Sequence, residues 1–148
     1  MRHEDRMGEA LVLAEEAMAV GEVPVGCVIV DADSKIVGRG RNRREALGQA
    51  TAHAEILAIE EACREVGDWR LKDCTLYVTL EPCPMCAGAI INARVGKVVF
   101  GAKDATMGAC GSVLNLFMER FGHEPQMLGG VLEAECGALM TQFFKNLR

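Results

Sequence analysis

Aromatic residues are scarce in this chain, with one Trp, one Tyr and five Phe among 148 residues. Such scarcity argues against a surface built for stacking and favours an aliphatic interior. Only four prolines interrupt the chain, and no linker, internal repeat or low-complexity tract is visible. No segment approaches the roughly 18 unbroken apolar residues that a membrane helix needs. The opening Met1–Arg6 is polar and leads into an amphipathic stretch, not the apolar run of a secretory signal. A soluble intracellular protein is expected. Positive charge is also short, with 16 Lys and Arg against 21 Asp and Glu, which argues against a surface that grips phosphates everywhere. The arginines are local instead: Arg39, Arg41, Arg43 and Arg44 crowd around Asn42. That stretch reads either as a nucleic-acid groove or as a solvated basic loop.

Cysteine is plentiful but odd in number, at seven. Cys27, Cys63 and Cys136 fall on apolar faces, where a thiol acts as a small buried hydrophobe. Cys74 and Cys110 lie near element ends. A reducing compartment suits this pattern better than a disulfide framework.

A chain of this length builds one domain around a single core. Met7, Leu11, Ala14, Ala17 and Met18 recur at helical spacing, and Gly21 is a natural stop. Val25 to Val30 is a continuous apolar run, expected of a strand covered on both faces. Asp31–Ser34 reads as a turn into a second strand from Lys35 to about Gly40, closing a hairpin. Thr51 is the expected N-cap of a helix that carries His53 and Glu55 and buries Ile59, Ala62, Cys63 and Val66. Thr75 to Leu80 is the next strand, and Pro84 suits the first turn of another helix. A short strand at Val98–Phe100, a short helix near Val113–Met118 and a brief strand at Met127–Leu128 follow. Leu132, Cys136, Leu139, Met140, Phe143 and Leu147 mark a closing amphipathic helix. Together these imply an α/β fold, a mixed sheet with helices on both faces.

Chemistry concentrates in His53-Ala54-Glu55 and Pro82-Cys83-Pro84-Met85-Cys86. One imidazole and two thiolates at i, i+3 make three zinc ligands, where structural zinc usually takes four, so one position stays open to water. Zinc lowers the pKa of such a water to about 7. Glu55, two residues from His53, can carry the proton without coordinating the metal, and the combination reads as hydrolytic deamination. Helix beginnings near His53 and Cys83 would turn their positive ends toward the metal, and first-turn N–H groups, that of Cys83 included, would face the reacting oxygen. His3 and His123 read as surface residues. The bland alternatives are a core histidine beside two buried thiols, or a zinc-stabilised interaction module, which needs a fourth ligand.

With Gly21–Gly26, Gly38–Arg43, Thr51–Glu55, Thr79–Ala89 and the Phe100–Ser112 block, these motifs resemble the cytidine-deaminase-like superfamily. Within it the chain is similar to the bacterial tRNA-specific adenosine deaminases, from about Arg6 to Arg148. The resemblance implies a three-layer α/β/α sandwich with a five-stranded mixed sheet, one zinc-dependent nucleobase deaminase domain over residues 1–148. It implies one Zn2+ per subunit on His53, Cys83 and Cys86, with Glu55 as general base and then acid at C6 of adenine or C4 of cytosine. A tRNA anticodon stem-loop would be the partner, its wobble adenosine becoming inosine, with a cytoplasmic homodimer as the working form and no organic cofactor or membrane.

Substrate contacts implied are Asn42, Val23, Ala54, Pro82, Asp104, Phe144 and Arg148, with Ala87–Ile91 contributing to the dimer interface. Asn42 can equally terminate the second strand, Asp104 can cap its loop, and Ala87–Ile91 can be simple core. The sequence departs from the family pattern where a Lys commonly follows the Asp, reading Asp104-Ala105-Thr106-Met107, and where Gly122-His123 replaces Asn-His. The alternative within the superfamily is deamination of a free nucleobase or nucleotide: guanine, cytosine or deoxycytidylate.

Overall fold

Alternation along the strands decides the layers of this protein, whose computed structural model describes residues 2–147. The chain runs through α1 (His3–Ala19), β1 (Gly26–Val30), β2 (Ile36–Arg41), α2 (Arg44–Leu47), α3 (Ala54–Val66), β3 (Thr75–Leu80), α4 (Pro84–Asn92) and β4 (Lys97–Ala102). A 3-10 turn (Leu116–Met118), β5 (Gln126–Leu128) and α5 (Glu133–Asn146) complete it. Strand order is β2-β1-β3-β4-β5. The pairs β1/β2 and β1/β3 are antiparallel, while β3/β4 and β4/β5 are parallel. This is the expected five-stranded mixed sheet.

Successive strand side chains point to opposite faces. Cys27 and Ile29 of β1, Leu76 and Val78 of β3, and Val98 and Phe100 of β4 join one core with Ala58, Ala62, Ala87 and Ile90 of α3 and α4. Their neighbours Val28, Val30, Tyr77, Val99 and Ala102 join a second core with Met7, Ala10 and Cys136 of α1 and α5. Ile29, Leu76 and Ile90 are fully buried, and each such side chain contributes about 1.5–3 kcal/mol. Among the described residues, no helix is long and apolar enough to cross a membrane.

Glycine sets the closest approach of helix to sheet. A Cβ on Gly40 of β2 would strike the Ala54 carbonyl and come within 2.8 Å of the Ala58 nitrogen. Gly40 therefore lets the first turn of α3, the turn that carries Glu55, lie directly on β2.

Several boundaries differ from expectation. The N-cap of α3 is His53, not Thr51, whose carbonyl accepts the His53 N–H at 2.8 Å. Val66 is exposed and Cys63 half-buried, because α3 ends at Gly67 in a left-handed turn (φ 78°) as the chain leaves the core. The helix expected near Val113–Met118 shrinks to the 3-10 turn. Val113 N–H is spent on the Gly108 carbonyl, and the Asn115 side chain caps Phe117 at 3.2 Å. Leu147 is exposed beyond α5. His3 and His123 are not bare surface residues: His3 Nδ1 meets the Tyr77 hydroxyl at 2.8 Å, and His123 Nε2 donates to the Val95 carbonyl at 2.7 Å. All seven cysteines are free.

Candidate metal centre and substrate pocket

Two helix beginnings meet at the carboxyl ends of β3 and β4, where open α/β sheets place their ligand crevices. His53 is the N-cap of α3 and Cys83 the N-cap of α4, with Pro84 as the first residue of that helix. Cys86 follows in the same first turn. The His53 side chain caps no N–H of its helix and turns instead to the two sulfurs, while Cys83 Sγ stays beside Cys86 of its own first turn. The free N–H groups of two helix starts supply positive potential at this point.

The donors converge. His53 Nδ1 stands 3.7 Å from Cys83 Sγ and 3.5 Å from Cys86 Sγ, and all three ligand atoms lie within 4.8 Å of one another. Tetrahedral zinc with bonds of about 2.3 Å to sulfur and about 2.0–2.1 Å to nitrogen sets that S···N edge at about 3.6 Å. The donor set fits zinc. No fourth Cys, His or carboxylate joins the cluster among the described residues, which disfavours a closed structural site.

The protonation pattern suits metal uptake as well. The Cys83 thiol is held down to about 4, first by the Cys86 S–H that donates to it and then, against burial, by His53. Cys86 keeps the proton and is raised, and His53 is raised by its bond to Cys83. The cluster thus holds protons to release to an incoming cation, as thiolate sites do.

Glu55 is 4% exposed and lies one residue into α3. Burial drives its carboxyl up to about 7, against its own backbone N–H, which favours the charged form. A carboxyl so placed takes up and gives back a proton at comparable cost.

These groups open into a pocket of about 210 Å³ that Val23, Val25, Asn42, Arg44, Ala54, Leu80, Asp104 and Met107 complete. The acids Glu55, Glu81 and Asp104 all line this partly apolar cavity, and with a metal-ligand cluster on helix starts they describe a hydrolytic site.

Residues 1–102 match the cytidine and deoxycytidylate deaminase zinc-binding region. The chain belongs to this family. It is 51% identical over 143 residues to a tRNA-specific adenosine deaminase of Bacillus subtilis, covering 96% of this chain and 88% of that protein. A solved structure from a study of A-to-I editing by tRNA:A34 deaminases superposes with a TM-score of 0.87 at 41% identity, covering 91% of this chain and 98% of that one. A guanine deaminase structure from Bacillus subtilis gives a TM-score of 0.69 at 39% identity, covering 80% and 74%.

The sequence-predicted substrate contacts divide in two. Asn42, Val23, Ala54 and Asp104 line this pocket. Pro82 and Phe144 do not. Pro82 is buried, its carbonyl accepting the Ala109 N–H at 2.9 Å. Phe144 is 50% exposed at the end of α5, edge-on to Phe143. Arg148 lies outside the described residues. Asp104 also caps its own loop, accepting from Thr106 and Met107 N–H at 3.0 and 3.1 Å. Asn42 is 6% exposed, and its Oδ1 accepts the Arg44 N–H at 3.3 Å. The helix α4 stretch Ala87–Ile91 is mostly core, with only Gly88 and Ala89 half-exposed.

Two buried carboxylates escaped the sequence reading. Glu81 accepts the N–H groups of Asp104, Cys110 and Ser112 and the Ser112 hydroxyl at 2.5 Å. Burial alone would raise it, but these donors win and hold it below the ordinary carboxylate range. Glu22 accepts from Glu45 and Ala46 N–H at 3.1 and 2.7 Å and so fixes α2. The clue for Glu81 was its place between a buried strand and the Pro-Cys-Pro break. Glu22 offered no local signal.

Proposed function

We propose that this protein hydrolyses the 6-amino group of the wobble adenosine in a tRNA anticodon loop, giving inosine and ammonia. His53, Cys83 and Cys86 would hold one zinc ion, and bound there zinc supplies a water acidic enough to lose a proton near neutral pH. Glu55 takes that proton, delivers it to the ring nitrogen beside C6, and helps the amino group leave as ammonia. The Cys83 N–H and the other first-turn N–H groups of α4 would favour negative charge beside the three ligands.

Asn42, Val23 and Ala54 hold the base in the pocket, Asp104 faces the ribose, and buried Pro82 acts on the site only through its place before Cys83. Phe144 and Arg148 are assigned to RNA beyond the pocket. An anticodon loop presents its bases without opening a duplex.

The observation that carries this reading is the 51% identity to the Bacillus subtilis enzyme over nearly all of both chains, with the three metal donors clustered and His53, Cys83 and Glu55 lining one pocket. The proposal takes residues 1–148 as one deaminase unit, cytoplasmic and homodimeric. Support for the dimer comes from a groove lined by Gly88, Ile91, Leu116 and Phe121 together with Asn92 and Arg94, and from the exposed side chains of Met118 and Leu114. A second reading, deamination of a free base, is favoured by the likeness to guanine deaminase.

The test incubates zinc-loaded protein with a panel of anticodon stem-loops and, separately, with guanine, cytosine and deoxycytidylate. Inosine at the wobble position supports the first reading. Ammonia from guanine with no inosine in any stem-loop replaces it with the second.

A further inference from the structure

Four arginines cluster in the sequence around Asn42, but the fold separates them. Arg39, Arg41 and Arg43 line a groove along the β2 edge shared with Glu16, Glu60 and Glu61. Arg44 alone turns to the other side and lines the pocket with Asn42, His53 and Glu55.

Charge makes that placement informative. Among the residues lining the pocket, Arg44 is the one Lys or Arg, against three carboxylates, Glu55, Glu81 and Asp104. A neutral base enters such a pocket without a cation. A nucleotide within a strand brings phosphates to the rim, where those three acids repel them unless a positive group intervenes.

Arg44 is free to serve. It is exposed and makes no ion pair among the described residues. Its backbone is fixed from two sides, by Asn42 Oδ1 on its own N–H and by the Glu22 carboxylate on the next two N–H groups. Both fixing groups are buried. The polar groups that pin α2 therefore hold this side chain at the pocket mouth, and Asn42 couples the base-binding wall to it.

We infer that Arg44 binds a backbone phosphate next to the reacting nucleotide and so selects a strand-held adenosine over a free base or nucleoside, an inference that rests on the deamination reading above. Phosphate contacts position a nucleic acid without reading its sequence. The arginine acts on binding and leaves the chemical step to Glu55.

A double-mutant cycle between protein and RNA tests this. The parent and Arg44→Gln are compared on a wobble-adenosine stem-loop and on versions with each flanking phosphate replaced by a neutral methylphosphonate. Arg44→Gln should raise KM about tenfold with kcat and zinc content nearly unchanged, and should flatten the dependence of log KM on log salt by about 0.7. One methylphosphonate should raise the parent's KM by a similar factor and leave the variant's unchanged, while Arg44→Lys recovers part of the loss. Additive effects of variant and methylphosphonate, or an unaltered KM in Arg44→Gln, overturn the assignment and leave deamination of the stem-loop standing. Absence of inosine from the zinc-loaded parent takes down both.

Discussion

The pocket has two halves built in different ways. The metal half stands on regular structure: His53 and Cys83 cap helices that pack against the central sheet, and Cys86 sits in the same turn as Cys83. The substrate half stands on short irregular segments, residues 42–46 and 104–112, each tied down by one buried carboxylate, Glu22 or Glu81. Rigid elements fix the atoms that must be placed to a fraction of an ångström. Loops carry the groups that recognise substrate, where variation changes what is bound without disturbing the chemistry.

Damage to either half should therefore read out in different quantities. The largest effect is expected from Cys83→Ser, which removes a soft ligand: metal analysis should fall from one zinc per chain to none, with inosine formation below detection. Glu55→Ala should keep its zinc and lose about 10²–10⁴ in kcat, the usual worth of a positioned proton carrier; a variant that turns over at the parent's rate ends that assignment. Glu81→Gln attacks the loop half. It places an amide where four donors converge, so stability should drop by about 1–3 kcal/mol, amide exchange over 104–112 should quicken, and KM should rise while zinc stays bound. Unaltered exchange in that loop would show the clasp to be dispensable. Phe144→Ala, exposed and outside the pocket, should shift stability by no more than about 0.5 kcal/mol and raise KM for the stem-loop about twofold to threefold, by loss of one stacking or rim contact; a loss of kcat would place it in the chemistry instead.

The same division explains what could be read from the residues alone. The strand Gly26–Val30 is found within the apolar run Val25–Val30, because a core strand covered on both faces carries its own signature. The metal donors were legible because zinc chemistry dictates residue type and spacing. Thr51 looked like the cap of α3 because capping is normally a local hydrogen bond, whereas the true N-cap His53 directs its ring to Cys83 and Cys86. The four-residue helix α2 went unread since its stability comes from Glu22, more than twenty positions away. Glu81 and Glu22, each 2% exposed, defeat a reading that places acids at the surface. Distant hydrogen bonds, not local propensity, built the substrate half.

The most direct measurement strips the metal with a chelator and follows inosine in an anticodon stem-loop as zinc is returned. Activity should vanish with the ion and recover in proportion to zinc bound, saturating at one per chain, while Glu55→Ala binds the same ion and stays inert. Undiminished turnover by fully stripped protein would contradict the account.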